Sequence, residues 1–202
     1  HGLLLKRVGI ETNSYTNPVS EADAAYQFVA TSQTVTTAEA TAGSYLATTT
    51  ADNNYMYATT TSSGLDITFT FDNVRLWNAN ALRVLYDGTS NSASLTYQIQ
   101  IRDFANSTWR NIVPHEATYA NATEAAAGLL MSVTTTTAPG GGDILVYDGY
   151  FSNGSNTAVS TPLGNFVNSD KQVQIRFFSS SATAGLQLSI DHLSVIPLVS
   201  PF

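Results

Sequence analysis

The sequence predicts an all-β protein, an antiparallel β-sandwich of jelly-roll type with an N-terminal arm. Three observations carry this. Between Leu65 and Arg102 apolar residues alternate with polar ones in successive runs: Ile67, Phe69 and Phe71, then Leu82, Val84 and Tyr86, then Leu95, Tyr97, Ile99 and Ile101. A period of two gives a strand with one dry face and one wet face. The same pattern returns near the C-terminus with Val173, Ile175 and Phe177 and with Leu186, Leu188 and Ile190. Turn residues separate the runs at short intervals, which favours antiparallel pairing in two stacked sheets.

Taken in order, residues 1–30 read as an arm or edge strand and 31–202 as the sandwich domain. Leu3, Leu4 and Leu5 lead into a strand near 3–11, and Ser20 caps a candidate helix over 21–29, whose alternative is an extended arm. Residues 31–63 are rich in Thr, Ala and Ser. β-branched Thr favours extended backbone, so Thr34–Thr37 reads as strand or edge, with further strands near 43–48 and 54–60. Trp77-Asn78-Ala79-Asn80 links two strands of the central region, and Asp87-Gly88-Thr89-Ser90-Asn91-Ser92, which includes the hairpin signal Asp-Gly, links the next two. A short strand follows over Trp109–Val113, with Trp109 assigned to the core. The Ala-rich stretch 116–128 predicts a helical turn, 129–137 a strand, and Ile144–Tyr147 another. Residues 148–170 form an ordered loop anchored by Tyr150, Phe151, Leu163 and Phe166. A closing hairpin turns over Ser179–Gly185, and Pro197 ends the last strand.

Composition bounds the function. The chain has 202 residues, with 8 Lys and Arg against 15 Asp and Glu, a net charge of -7 and a pI near 4.6. That leaves no basic footprint for nucleic acid and no polybasic patch for a membrane surface. No apolar run reaches the length that inserts a helix into a bilayer. Charged residues make up only 11%. The surface therefore rests on Thr, Ser, Asn, Gln and Gly, which suits either a neutral face for sugars or a face that packs on a neighbour. There is no Cys, so disulfides and thiol chemistry are excluded. Low charge, abundant Thr and a chain that begins at His1 point to an exported protein or to a cell, virus or phage surface.

Three segments carry a resemblance: LRVLYDG at 82–88, YQIQIRDFANSTWRNI at 97–112 and VQIRFFSSSATAGLQLSIDHLSV at 173–195. Together they resemble the galactose-binding-like, or discoidin-like, jelly rolls found as carbohydrate-binding modules and on phage and extracellular proteins. The middle segment resembles a strand, a turn and a strand opened by Trp; the last resembles the closing hairpin. The resemblance spans about 43–196 and implies a sandwich that binds through variable loops. It assigns no ligand residue, and the disulfide of some discoidin members is missing.

Candidate sites follow from residue chemistry. Exposed aromatic rings can stack on sugar faces, which selects Trp77, Tyr147, Tyr150 and Phe151, while Tyr55 and Tyr57 share one strand face. Calcium takes oxygen ligands from loops, which selects Asp52, Asp87 and Asp148. The apolar termini, Leu3, Leu4, Leu5, Leu198 and Phe202, are candidates for docking on another copy. His1 followed by Gly2 resembles the start of copper polysaccharide monooxygenases, with only His115 and His192 as possible partners. No nucleophile elbow exists, and Asp191 and His192 point to opposite faces of a strand. The expectation is a non-catalytic protein that self-associates through its sandwich faces and termini. Carbohydrate binding by loop aromatics is the alternative, and copper chemistry at His1 a distant third.

Overall fold

The computed structural model describes residues 27–79, 81–92, 95–112, 122–125, 128–132, 142–147, 161–180 and 182–198. Among them, thirteen strands form two sheets in which every pairing is antiparallel. The smaller sheet runs β11 (Gly142–Tyr147), β6 (Ala81–Ser90), β13 (Gln187–Leu198), β4 (Met56–Thr59) and β3 (Ala40–Ala42), with β1 (Phe28–Val29) also on β13. The larger runs β2 (Ser32–Thr37), β5 (Leu65–Phe71), β12 (Val173–Ser179), β7 (Thr96–Asp103), β10 (Gly128–Ser132) and β9 (Ala122–Ala125), with β8 (Thr108–Asn111) also on β7. From β4 to β7 and again from β10 to β13 the chain crosses from one sheet to the other at every strand. That alternation is the jelly-roll pattern of a double-sheet sandwich.

The dry positions of the sequence meet between the sheets. Ile67, Phe69, Phe71, Ile99, Ile101, Ile175 and Phe177 face Met56, Val84, Tyr86, Ile190, Leu193 and Val195, all buried. Each such side chain contributes roughly 1.5–3 kcal/mol relative to exposure. Phe69 meets Phe177 edge-on at 5.8 Å. Tyr86 and Tyr97, one from each sheet, join their hydroxyls at 2.6 Å, so two buried phenols satisfy one another across the interior. Burial pushes the Tyr97 phenol well above its ordinary pKa, partly opposed by that bond.

The local differences from the sequence reading have physical causes. Tyr45–Thr48 is one turn of 3-10 helix where a strand is expected. Gly43 sits at a φ of 74°, where glycine alone is comfortable, and the Ser44 hydroxyl accepts from the Leu46 amide, so the chain turns before a ladder can form. Phe28–Val29 pairs with Val195 and Ser194, so the end of the candidate helix is strand; its start, and the strand near 3–11, lie outside the described residues. Ala122–Ala125 pairs with β10, where a helical turn is expected. Pro197 lies within β13, opposite Leu82, and does not end the strand. Of the link expected over 87–92, Asp87 to Ser90 are strand, with Asp87 paired to His192 and Gly88 to Ile190, and the strand ends before Asn91 and Ser92. Leu163 and Phe166 anchor their loop as expected, both buried.

One buried charge holds the β7–β8 hairpin. Asp103 is fully buried and accepts from the Asn106 amide nitrogen at 3.0 Å, from Asn106 Nδ2 at 2.8 Å, and from Arg110 Nε at 3.2 Å and Nη2 at 3.1 Å. Burial raises its pKa, but the bonds from Asn106 and Arg110 outweigh burial and hold the carboxyl below its ordinary value. A carboxylate depressed by folding adds stability above its unfolded pKa of about 3.9, and this is lost as pH falls through the folded value. Asp103→Asn is therefore expected to cost about 1–3 kcal/mol at pH 7 and to flatten the acid limb of a stability–pH curve below about pH 4, both read by denaturant titration.

Candidate functional site on the larger sheet

The wet positions of β5, β12, β7 and β8 share the outer face of the larger sheet. The register sets them in rows. Asp66, Phe178 and Gln98 form one row, and Thr68, Arg176, Gln100 and Asn111 the next. Arg102 and Trp109 form a third, with Thr70 opposite Gln174 at its far end. Solvated sheet faces usually hold side chains that stand into water. Here Asp66, Gln100 and Asn111 are only 9%, 8% and 6% exposed; Asp66 bonds to Arg176, and Gln100 bonds to Asn111.

The network is continuous. Arg176 donates from Nε to Asp66 Oδ1 at 2.7 Å and from Nη2 to Asp66 Oδ2 at 2.6 Å, a two-pronged ion pair. Its Nη1 reaches Gln100 Oε1 at 3.4 Å. Gln100 Nε2 then donates to Asn111 Oδ1 at 2.8 Å and to Gln98 Oε1 at 3.1 Å. The Arg176 guanidinium also lies 4.1 Å from the centre of the Phe178 ring and 5.3 Å from that of Trp109, while Arg102 lies 5.3 Å from Trp109. A guanidinium held by a fork of bonds and by aromatic faces has few rotamers left. The face is thus a rigid set of amide and guanidinium groups beside two half-buried rings. Such groups can bond neighbouring hydroxyls, while a ring covers the apolar side of a sugar ring.

The outer face of the smaller sheet gathers a second cluster. The Tyr55 and Tyr57 rings lie 5.9 Å apart. Burial, and then the carboxylates of Asp191 and Asp87, raise the Tyr55 pKa. His192 stands opposite Asp87, with Nε2 2.9 Å from Gln27 Nε2 and 3.1 Å from Ser194 Oγ. Gln27 Nε2 also donates to Ser194 Oγ at 2.7 Å, so the three side chains form one cluster. Burial lowers the His192 pKa more than the Asp191 and Asp87 carboxylates and the Thr48 backbone raise it. A neutral buried His adds stability above its unfolded pKa, so stability is expected to fall as pH drops from about 6.5 through the folded value. His192→Gln should remove that step from a pH series of melting curves.

The sequence-selected residues scatter. Trp77 is 59% exposed at a φ of 45° and packs against Phe28 at 6.4 Å, apart from the platform rows. Tyr147 closes β11 opposite Ala81; Tyr150 and Phe151 lie outside the described residues. Asp52 bonds through its backbone to Asp191 Oδ1 at 3.3 Å and accepts from the Asn54 amide at 3.0 Å, while Asp87 faces His192. Asp148 and His1 lie outside the described residues, and among those described no three His, Cys, Asp or Glu converge as metal ligands. Leu198 ends β13 opposite Ala81, half-buried; Leu3, Leu4, Leu5 and Phe202 lie outside. Trp109 leaves the core. Its partner in register, Arg102, is on the wet phase of β7, so the ring is carried outward with it. The platform groups Arg176, Gln98, Gln100, Arg102, Phe178, Asn111 and Asp66 are not among the loop aromatics, yet the sequence carries their signal: Gln98-Gln100-Arg102 and Gln174-Arg176-Phe178 fill wet positions with amides, guanidinium groups and a ring.

The sequence matches no known family and no curated protein. Among solved structures, the chain is similar to the N-terminal cellulose-binding domain of β-1,4-glucanase C from Cellulomonas fimi, at 13% identity and a TM-score of 0.42, over 84% of this chain and 91% of that one. It is also similar to a family 29 carbohydrate binding module, at 10% identity and a TM-score of 0.38, over 85% of this chain and 99% of that one.

Proposed function

We propose that the protein is a non-catalytic carbohydrate-binding domain and that the outer face of the larger sheet is its binding surface. The observation that carries this is the bonded set Asp66–Arg176–Gln100–Asn111 lying flat beside Trp109 and Phe178. A polar array fixed before the ligand arrives loses little side-chain freedom on binding, which is what weak, hydroxyl-rich ligands require. Gel retardation of the folded protein in native gels holding neutral glucan, mannan, xylan, galactan or uronan tests the reading, with heat-denatured protein as control. Retardation by at least one polysaccharide is expected; none across the panel would contradict it.

Self-association is the second reading, favoured by one observation. Among the described residues β2 pairs only with β5, and its sequence SQTVTT is uncharged, mostly exposed and carries Val35 at 37% exposure. Such an edge can add a strand from a second copy, although the bulge between Val35 and Thr37 interrupts it. Light scattering over a wide concentration range tests it. A mass that grows with concentration, and returns to that of one chain in Val35→Lys, is expected on this reading. One chain's mass throughout would end it.

A further inference from the structure

The ligand's charge class can be read from one residue of the platform. The chain has 8 basic residues, and two of them, Arg102 and Arg176, hold their guanidinium groups against the same ring, Trp109. Their electrostatic states differ. Arg176 is neutralised by Asp66 at 2.6 Å and also donates from Nη1 to Gln100 at 3.4 Å. The Arg102 side chain forms no hydrogen bond and no ion pair among the described residues; its contact is with the Trp109 ring at 5.3 Å. Among the described residues its five N–H groups thus have no acceptor, and the guanidinium lies beside the ring. Asp103, next in sequence, points to the opposite side of β7 and is taken by Asn106 and Arg110. The other described carboxylate on this face, Asp72, is bound to Thr31 at 2.8 Å and Gln172 at 2.8 Å. It sits two strands from Arg102, roughly 10 Å away at ordinary strand spacing, where salt screens much of its charge.

From this geometry we infer that the platform takes a polysaccharide containing uronic acid, with Arg102 forming the fork to the sugar carboxylate while the adjacent amides bond its hydroxyls. This rests on the carbohydrate reading above and adds the charge class. A guanidinium stacked on an aromatic ring is matched to a planar carboxylate in both charge and shape. A neutral sugar would leave that cation unused beside the Trp109 ring. It would also forgo the one attractive charge that a chain of net charge -7 offers there.

The test compares polygalacturonate with its methyl ester, which keeps the sugar and removes the charge, and adds alginate as a second uronan. Binding is read by calorimetry for the wild-type protein, Arg102→Gln and Arg102→Lys, each shown to be folded by circular dichroism. The expected result is at least tenfold tighter binding of a uronan than of the ester. That preference falls to within twofold in Arg102→Gln and persists in Arg102→Lys. If the wild type binds the ester or another neutral glycan as tightly as either uronan, the inference is overturned while the platform stands. Uronan binding that is unchanged in Arg102→Gln, or dextran sulfate bound in preference to both uronans, overturns it as well. If no saccharide binds at all, the carbohydrate reading itself falls.

Discussion

Trp109→Ala is expected to weaken polysaccharide binding by roughly 25-fold or more while leaving the protein folded. The ring is half-buried on the outer face, sits in β8 opposite Arg102, and is touched by two guanidinium groups. Removing it takes away the largest apolar surface beside the platform and frees both arginines to move. Loss of an aromatic anchor typically costs about 2 kcal/mol or more of binding free energy, and each 1.4 kcal/mol is a factor of ten. The fold should survive, because Trp109 lies outside the buried cluster between the sheets. Calorimetry gives the affinity and a melting curve the stability. A melting temperature that collapses in step with affinity would mean that the ring serves the fold and not the ligand. Trp109→Phe, which keeps an aromatic face, should recover part of the affinity.

Gly88→Ala is expected to destabilise the protein by about 3 kcal/mol, the upper part of the range for forcing added carbon into a packed interior. Gly88 lies within β6, opposite Ile190. A Cβ there would stand 2.6 Å from the Ser189 carbonyl oxygen and would collide with the Tyr86 hydroxyl. Tyr86 and Gly88 are two residues apart on the same strand face, so the ring lies over the missing side chain and its hydroxyl reaches Tyr97. The methyl group would have to displace backbone on one side and a bonded phenol on the other. Gly164→Ala is the matched control: nothing lies within 4 Å of a Cβ there, and the change should be within about 0.5 kcal/mol. Denaturant midpoints of the two variants settle the comparison.

These two positions also show what could be read in the sequence. The sandwich was legible because Ile67, Phe69, Phe71, Tyr97, Ile99, Ile101, Val173, Ile175 and Phe177 follow a strict period of two, and burial on one face leaves no other register. Gly88 misleads because Asp-Gly is a turn signal in isolation, whereas here tertiary contact decides: the glycine makes room for the Tyr86 ring. Tyr45–Thr48 misleads similarly, since Gly43 and Ser44 act over two residues while the apolar pattern of 43–48 suggests a strand. The platform was hidden for another reason. Sugar-stacking rings are expected in loops, but the sheet face holds the array, and only the register brings Arg176 of β12 beside Gln100 of β7 and Asn111 of β8. Sequence gives the wet phase of each strand; it does not give which strands are neighbours.

The most direct test uses the two tryptophans, Trp77 and Trp109. In Trp77→Phe the emission comes from Trp109 alone, so a titration with a polysaccharide that the protein binds reports on the platform itself. The account predicts a saturable change in Trp109 emission, with a midpoint equal to the Kd found by calorimetry. Full binding by calorimetry with Trp109 emission unchanged would place the ligand elsewhere and contradict the assignment of this face.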